Sequence, residues 1–106
     1  MKKPFGTFDK YLKRTLKNKS DALAYLKAAM ADDDQRVFLM AIKDVMEARG
    51  ITMAGLARLT GMSREHLYQA LSLNGNPSWM NINKIIAAIG FRLEVSQNAP
   101  RLKKAS

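Results

Sequence analysis

The stretch "GMSREHLYQALS", residues 61–72, holds the side chains best suited to reading a polar ligand. Arg64, Glu65, Tyr68 and Gln69 stand at i, i+1, i+4 and i+5, which puts them on one stripe of a helix. Leu67, Ala70 and Leu71 fall on the apolar side. An arginine can grip O6 and N7 of guanine with two parallel bonds, and a glutamine can do the same to N6 and N7 of adenine. A glutamate can accept from N4 of cytosine. Each good bidentate pair is worth ~1–3 kcal/mol of discrimination against the wrong base. The same stripe would also serve as a solvated helix face, with Glu65 favouring the positive end of the helix dipole. Tyr68 could instead pack on a neighbouring helix. His66 reads as a turn-facing or surface residue.

The elements around this stripe decide whether it faces a ligand. Thr52 is placed to cap a short helix, "MAGLARLT", and Ser63 to cap "REHLYQALS". Between them runs a turn of three to four residues from Thr60 to Ser63, the length a helix–turn–helix requires. Ala57 is small where the second helix crosses the first. Gly61 supplies a residue that adopts positive φ cheaply, and Leu67 plugs the angle between the helices. In such a pair the N-terminal part of the second helix enters the major groove. Thr52 and Ser63, at helix N-termini, suit phosphate oxygens. Asn74 and Asn76, in the "LNGNP" loop that follows, are candidates to reach the DNA backbone. A plain helical hairpin in a bundle would have the same apolar spacing.

The rest of the chain reads as a helical scaffold. "FDKYLKRTLK" sets Phe8, Leu12 and Leu16 on a thin apolar stripe. Ser20 is the expected cap of a firmer helix with Leu23, Leu26 and Met30 on its inner face. The "ADDD" run ends it, and Asp34 caps the next helix. There Phe38, Leu39, Ile42, Val45 and Met46 form one broad apolar face, and Gly50 is the stop. Ser78 caps a last helix whose buried face is Ile82, Ile85, Ile86 and Ile89, with Gly90 after it. "FRLEV" alternates, as a short strand or an extended arm, and it could pair with its copy across a two-fold or fold back on its own helices. Trp79 could be a dimer contact or a lid on the core. The methionines read as core filler.

Composition narrows the classes. With 106 residues the chain has the size of one domain with tails, and it has no cysteine, so disulfides and thiol chemistry are excluded. The basic start has no apolar run behind it, so no signal peptide is expected, and no stretch approaches the ~20 apolar residues of a membrane span. One histidine, no phosphate-cradling glycine loop and no paired carboxylates in an obvious cleft argue against an enzyme, a metal site or a bound cofactor. The net charge of +9 sits at the ends: residues 1–19 hold seven Lys or Arg against Asp9, and Arg101, Lys103 and Lys104 close the chain. Residues 20–100 carry eight of each sign. Basic ends favour a polyanion such as nucleic acid. The expected organisation is a weakly helical basic arm over 1–19, a helix–turn–helix domain over 20–95, and a flexible basic tail over 96–106.

"TMAGLARLTGMSREHLYQALS" followed by "GNPSWMNINKIIAAIGFRL" resembles the lambda-repressor-like (XRE-type) DNA-binding domain. With the upstream "YLKAAMADDDQRVFLMAIKDVMEARG", the chain is similar more narrowly to the addiction-module antidote proteins, the HigA-like antitoxins, over roughly residues 8–95. The resemblance implies an all-α, compact five-helix fold with an N-terminal helical extension. It also implies double-stranded operator DNA as ligand, often with a RelE/ParE-like toxin as second partner. The expected working form is a cytoplasmic, nucleoid-associated homodimer, on half-sites about one helical turn apart; the alternatives are a stand-alone XRE-type repressor without a toxin partner and a toxin-neutralising interaction module with little DNA binding. The basic arm departs from the family pattern. It makes Asp32–Asp34 or an apolar face the better candidate surface for a toxin.

Overall fold

Side-chain caps set where the helices begin. Asp34, Thr52, Ser63 and Ser78 each accept a backbone N–H from the first turn that follows, satisfying donors that a helix N-terminus leaves free. The computed structural model describes residues 10–97. These form six helices in chain order and no strand: α1 (Lys10–Leu16), α2 (Lys19–Met30), α3 (Gln35–Ala48), α4 (Met53–Thr60), α5 (Arg64–Ala70) and α6 (Trp79–Ala88). The molecule is all-helical and compact, and among the described residues no helix is long and apolar enough to cross a membrane.

The second helix departs from its expected start and face. Asn18, not Ser20, is the cap, its side chain accepting from the Asp21 N–H at 3.0 Å. The buried stripe is Ala22, Leu26 and Ala29, while Leu23 and Met30 are exposed. Both stripes have helical spacing. The packing chose the one with alanines, whose small side chains let α2 lie close against α3.

α1, α2 and α3 pack on one another, and α4 packs on α5 and α6. Leu16, Ile42, Val45, Leu56, Leu67, Leu71, Ile85 and Ile86 are the largest fully buried side chains, and they join both groups in one core. Burying each such side chain stabilises the fold by ~1.5–3 kcal/mol. Leu16 is 1% exposed and Leu12 packs against the core, whereas Phe8 lies outside the described residues. No polar or charged residue among those described is buried. Met46 and Met62 are core residues, but Met30 and Met80 are exposed, so filler describes only part of the methionine set.

Across the α2–α3 contact, the Tyr25 hydroxyl donates to Asp44 Oδ2 at 2.6 Å. Burial first, then this hydrogen bond and the Asp44 charge, push Tyr25 ionisation well above its ordinary range. The "FRLEV" segment forms no strand. Its Phe91 and Leu93 pack back on the core, and Lys19 Nζ lies 5.6 Å from the centre of the Phe91 ring. With no second strand in the described residues there is no ladder to bond to, so the alternation serves only to turn two apolar side chains inward.

Candidate nucleic-acid interface

The stripe on α5 is presented by a locked turn. Thr60 Oγ1 donates to the Leu56 carbonyl at 2.8 Å and accepts from the Met62 N–H at 3.1 Å. Gly61 follows at φ 78°, with its N–H on the Ala57 carbonyl at 2.9 Å. Ser63 Oγ then accepts from the His66 N–H at 3.0 Å and starts α5. Leu67 and Leu71 are fully buried beneath the helix. The apolar side of α5 is thereby spent on packing, which fixes the direction of the polar side.

Arg64, Glu65, His66, Tyr68 and Gln69 are all exposed, Tyr68 to 57%. Among the described residues, the side chains of Arg64, Glu65, Tyr68 and Gln69 make no hydrogen bond or ion pair within the protein. Their donors and acceptors are left to solvent or to a ligand. Tyr68 is outside the core and is not among the side chains packed against it. Thr52, also exposed, caps α4 through a 3.0 Å bond from the Gly55 N–H. The two capped N-termini belong to a pair of helices packed against each other.

The loop after α5 carries Asn74 and Asn76, both exposed. Asn76 Oδ1 lies 3.5 Å from Gln35 Nε2, a link to the start of α3. Between them Gly75 is buried. A Cβ there would collide with the Ala70 carbonyl and stand 2.8 Å from the Gln69 carbonyl oxygen. Gly75 lets the loop close onto the end of α5, a role that reading "LNGNP" as a turn does not reveal. Asn81 is a second residue with no signal in the sequence: its Nδ2 lies 3.4 Å from His66 Nε2, joining α6 to α5. Trp79 is no lid on the core, being 67% exposed.

The N-terminal lysines sit apart from this face in part. Lys10 and Lys13 are exposed on α1, which packs on α2 and α3, while Lys2 and Lys3 lie outside the described residues, as do Arg101, Lys103 and Lys104. In the acidic turn, Asp34 Oδ2 pairs with Arg36 at 2.7 Å. The hydrogen bonds from Arg36 hold the Asp34 carboxyl below its ordinary range.

The model of a family described as probable addiction module antidote protein matches residues 6–97. The chain belongs to that family. An uncharacterized protein of Haemophilus influenzae (strain ATCC 51907 / DSM 11121 / KW20 / Rd) is 34% identical over 83 residues, covering 78% of this chain and 84% of its relative. No solved structure matches. Membership in an antidote family implies an antitoxin of a toxin–antitoxin module, with a toxin partner of some kind. The match spans α1 to α6, so the antidote family takes in both the three-helix layer and the α4–α5 pair.

Proposed function

We propose that this antidote protein is a sequence-specific DNA-binding regulator, the antitoxin and autorepressor of a type II toxin–antitoxin module. The α4–turn–α5 unit acts as a lambda-repressor-like (XRE-type) helix–turn–helix, in the manner of a HigA-like antitoxin. The observation that carries the reading is the exposed α5 stripe, whose side chains make no hydrogen bond or ion pair among the described residues. In this reading Arg64, Glu65 and Gln69 contact base edges and Tyr68 flanks them. Thr52, Ser63, Asn74 and Asn76 hold phosphates. The site performs no catalysis and needs no metal or cofactor. The protein works in the cytoplasm at the nucleoid, as a homodimer on a two-fold operator, and a RelE/ParE-like toxin is its second partner.

Selection of bound DNA from random sequence tests this. A palindromic consensus with half-sites about one helical turn apart, ~34 Å, is the expected result. Binding that salt alone controls, with no consensus, would leave a toxin-neutralising module without operator recognition. The description of the family as an antidote fits either reading.

A further inference from the structure

An open cleft of about 420 Å³ lies where α1 hands over to α2 and α3 ends, lined by Lys17, Ala48, Arg49 and Gly50. The Arg49 guanidinium is fixed there, Nη1 donating to the Lys17 carbonyl at 3.2 Å. That bond uses one N–H of a group that carries about five. No carboxylate among the described residues pairs with Arg49, and the exposed Lys17 ammonium makes no hydrogen bond or ion pair among them. Lys17 also ends a stripe. Lys10, Lys13, Arg14 and Lys17 fall at i, i+3, i+4 and i+7, all exposed, within a run from 10 to 19 that holds no acid. Like charges at this spacing destabilise a helix, so the fold gains nothing by gathering them. Glu47, the acid nearest to Arg49 in sequence, stands two positions away, where side chains on a helix do not face one another.

The cleft adjoins the α4–α5 unit. Gly50 turns the chain at φ 73°, and the Ile51 N–H bonds the Met46 carbonyl at 2.9 Å, which ties Arg49 closely to Thr52. Three residues reach at most ~11 Å, a length over which one DNA strand sets about three phosphates. Arg58 lies toward the same end of α4: a Cβ on Gly55 would stand 3.3 Å from Thr52 Oγ1 and 3.8 Å from Arg58 Nη2. We propose that the Lys17–Arg49 cleft holds a backbone phosphate of duplex DNA, on the strand whose neighbouring phosphates meet Thr52 and Arg58. A guanidinium grips a phosphate through two parallel bonds and an ammonium adds a point charge. An acidic protein segment is the poorer occupant, because Ala48 and Gly50 give the cleft no large apolar pocket of the kind that anchors protein contacts. The proposal rests on the DNA-binding reading for its ligand. It adds a source of attraction within the folded helices, apart from the basic chain ends.

The test is binding of the full chain to duplex DNA at a series of salt concentrations, with the sequence that selection yields or, if it yields none, a mixed-sequence duplex. Lys17→Gln with Arg49→Gln should weaken binding about fivefold or more and flatten the slope of log affinity against log salt by roughly 0.9 to 1.8, with base preference unchanged. Arg49→Lys should keep most of the slope, which a purely structural guanidinium would not do. Lys27→Gln, at an exposed lysine on α2, should leave the slope as it is. Lys17→Gln alone keeps the test decisive if the Arg49 change disturbs folding, which far-UV circular dichroism would reveal. A paired variant with the wild-type slope overturns the proposal, and so does an equal loss in Lys27→Gln, which would reduce the effect to net charge. A paired variant that binds DNA normally but loses a co-expressed toxin would hand the cleft to a protein and equally overturn it. A consensus that the paired variant binds as well as wild type removes the cleft and leaves the operator reading standing. Salt-dependent binding without a consensus, weakened in the paired variant, keeps the cleft and removes the operator reading. A wild type that binds no DNA overturns both.

Discussion

Arg64, Ser63 and Tyr25 each carry a consequence that one substitution exposes. Arg64 is exposed and unpartnered, so Arg64→Ala should erase preference at one base position and leave affinity for unrelated DNA nearly intact. Competition binding against a panel of single-base operator variants measures this, and a uniform loss across the panel would make Arg64 a phosphate contact. Ser63 caps α5 with a 3.0 Å bond. Ser63→Ala should lower stability by ~1 kcal/mol in urea unfolding, with Ser63→Asp restoring most of it. Tyr25 binds Asp44 in its neutral form, and its folded pKa lies above the unfolded value of 10.0. The unfolded chain therefore loses this proton first as pH rises. The contribution of Tyr25 is complete below pH 10.0 and fades above it. Tyr25→Phe should cost about 1 kcal/mol at neutral pH, a modest figure because the pair is only partly buried. The gap in Tm between wild type and variant should then narrow as pH climbs past 10.0. The residues of the α5 stripe are legible in the sequence because unlike polar types share one helical face there. Gly75 and Asn81 are not, since their roles arise from chain segments that meet only on folding.

At the scale of elements, the turn between α4 and α5 and the loop after α5 aim the stripe. Gly61 sits at φ 78°, where a Cβ costs ~1–2 kcal/mol. Gly61→Ala should lower thermal stability by that order while leaving the path of the turn in place, because nothing stands within 4 Å of the added carbon. Gly75→Ala is a different case, since its Cβ would run into backbone that cannot swing aside. It should shift the loop and move Asn74 and Asn76, which hydrogen-exchange protection over residues 71–78 would register as faster exchange. The caps at Asp34, Thr52, Ser63 and Ser78 are readable from sequence, for each is a short polar side chain directly before an apolar helical pattern. The α2 cap is not, because Asn18 and Ser20 are both competent and the choice follows from how α1 hands over to α2. The buried face of α2 escapes the pattern for a related reason. Leucine and methionine mark a stripe by size, but a tight helix crossing selects alanine.

For the whole molecule, charge and core are divided between ends and middle. If the basic arm adds attraction to DNA, reversing Lys2, Lys3, Lys10 and Lys13 should weaken all sequences alike. The slope of log affinity against log salt should flatten by roughly 0.9 for each phosphate that is no longer neutralised. An unchanged slope would detach the arm from DNA. Sequence alone determined the all-helical class, most helix starts and the polar stripe, because these follow from local periodicity, capping chemistry and residue type. Tertiary structure alone decided which face of α2 is buried, that residues 91–95 fold back without a strand, and that Trp79 stands in solvent. Each of those depends on what lies opposite, and a linear pattern has no opposite side until the chain has packed.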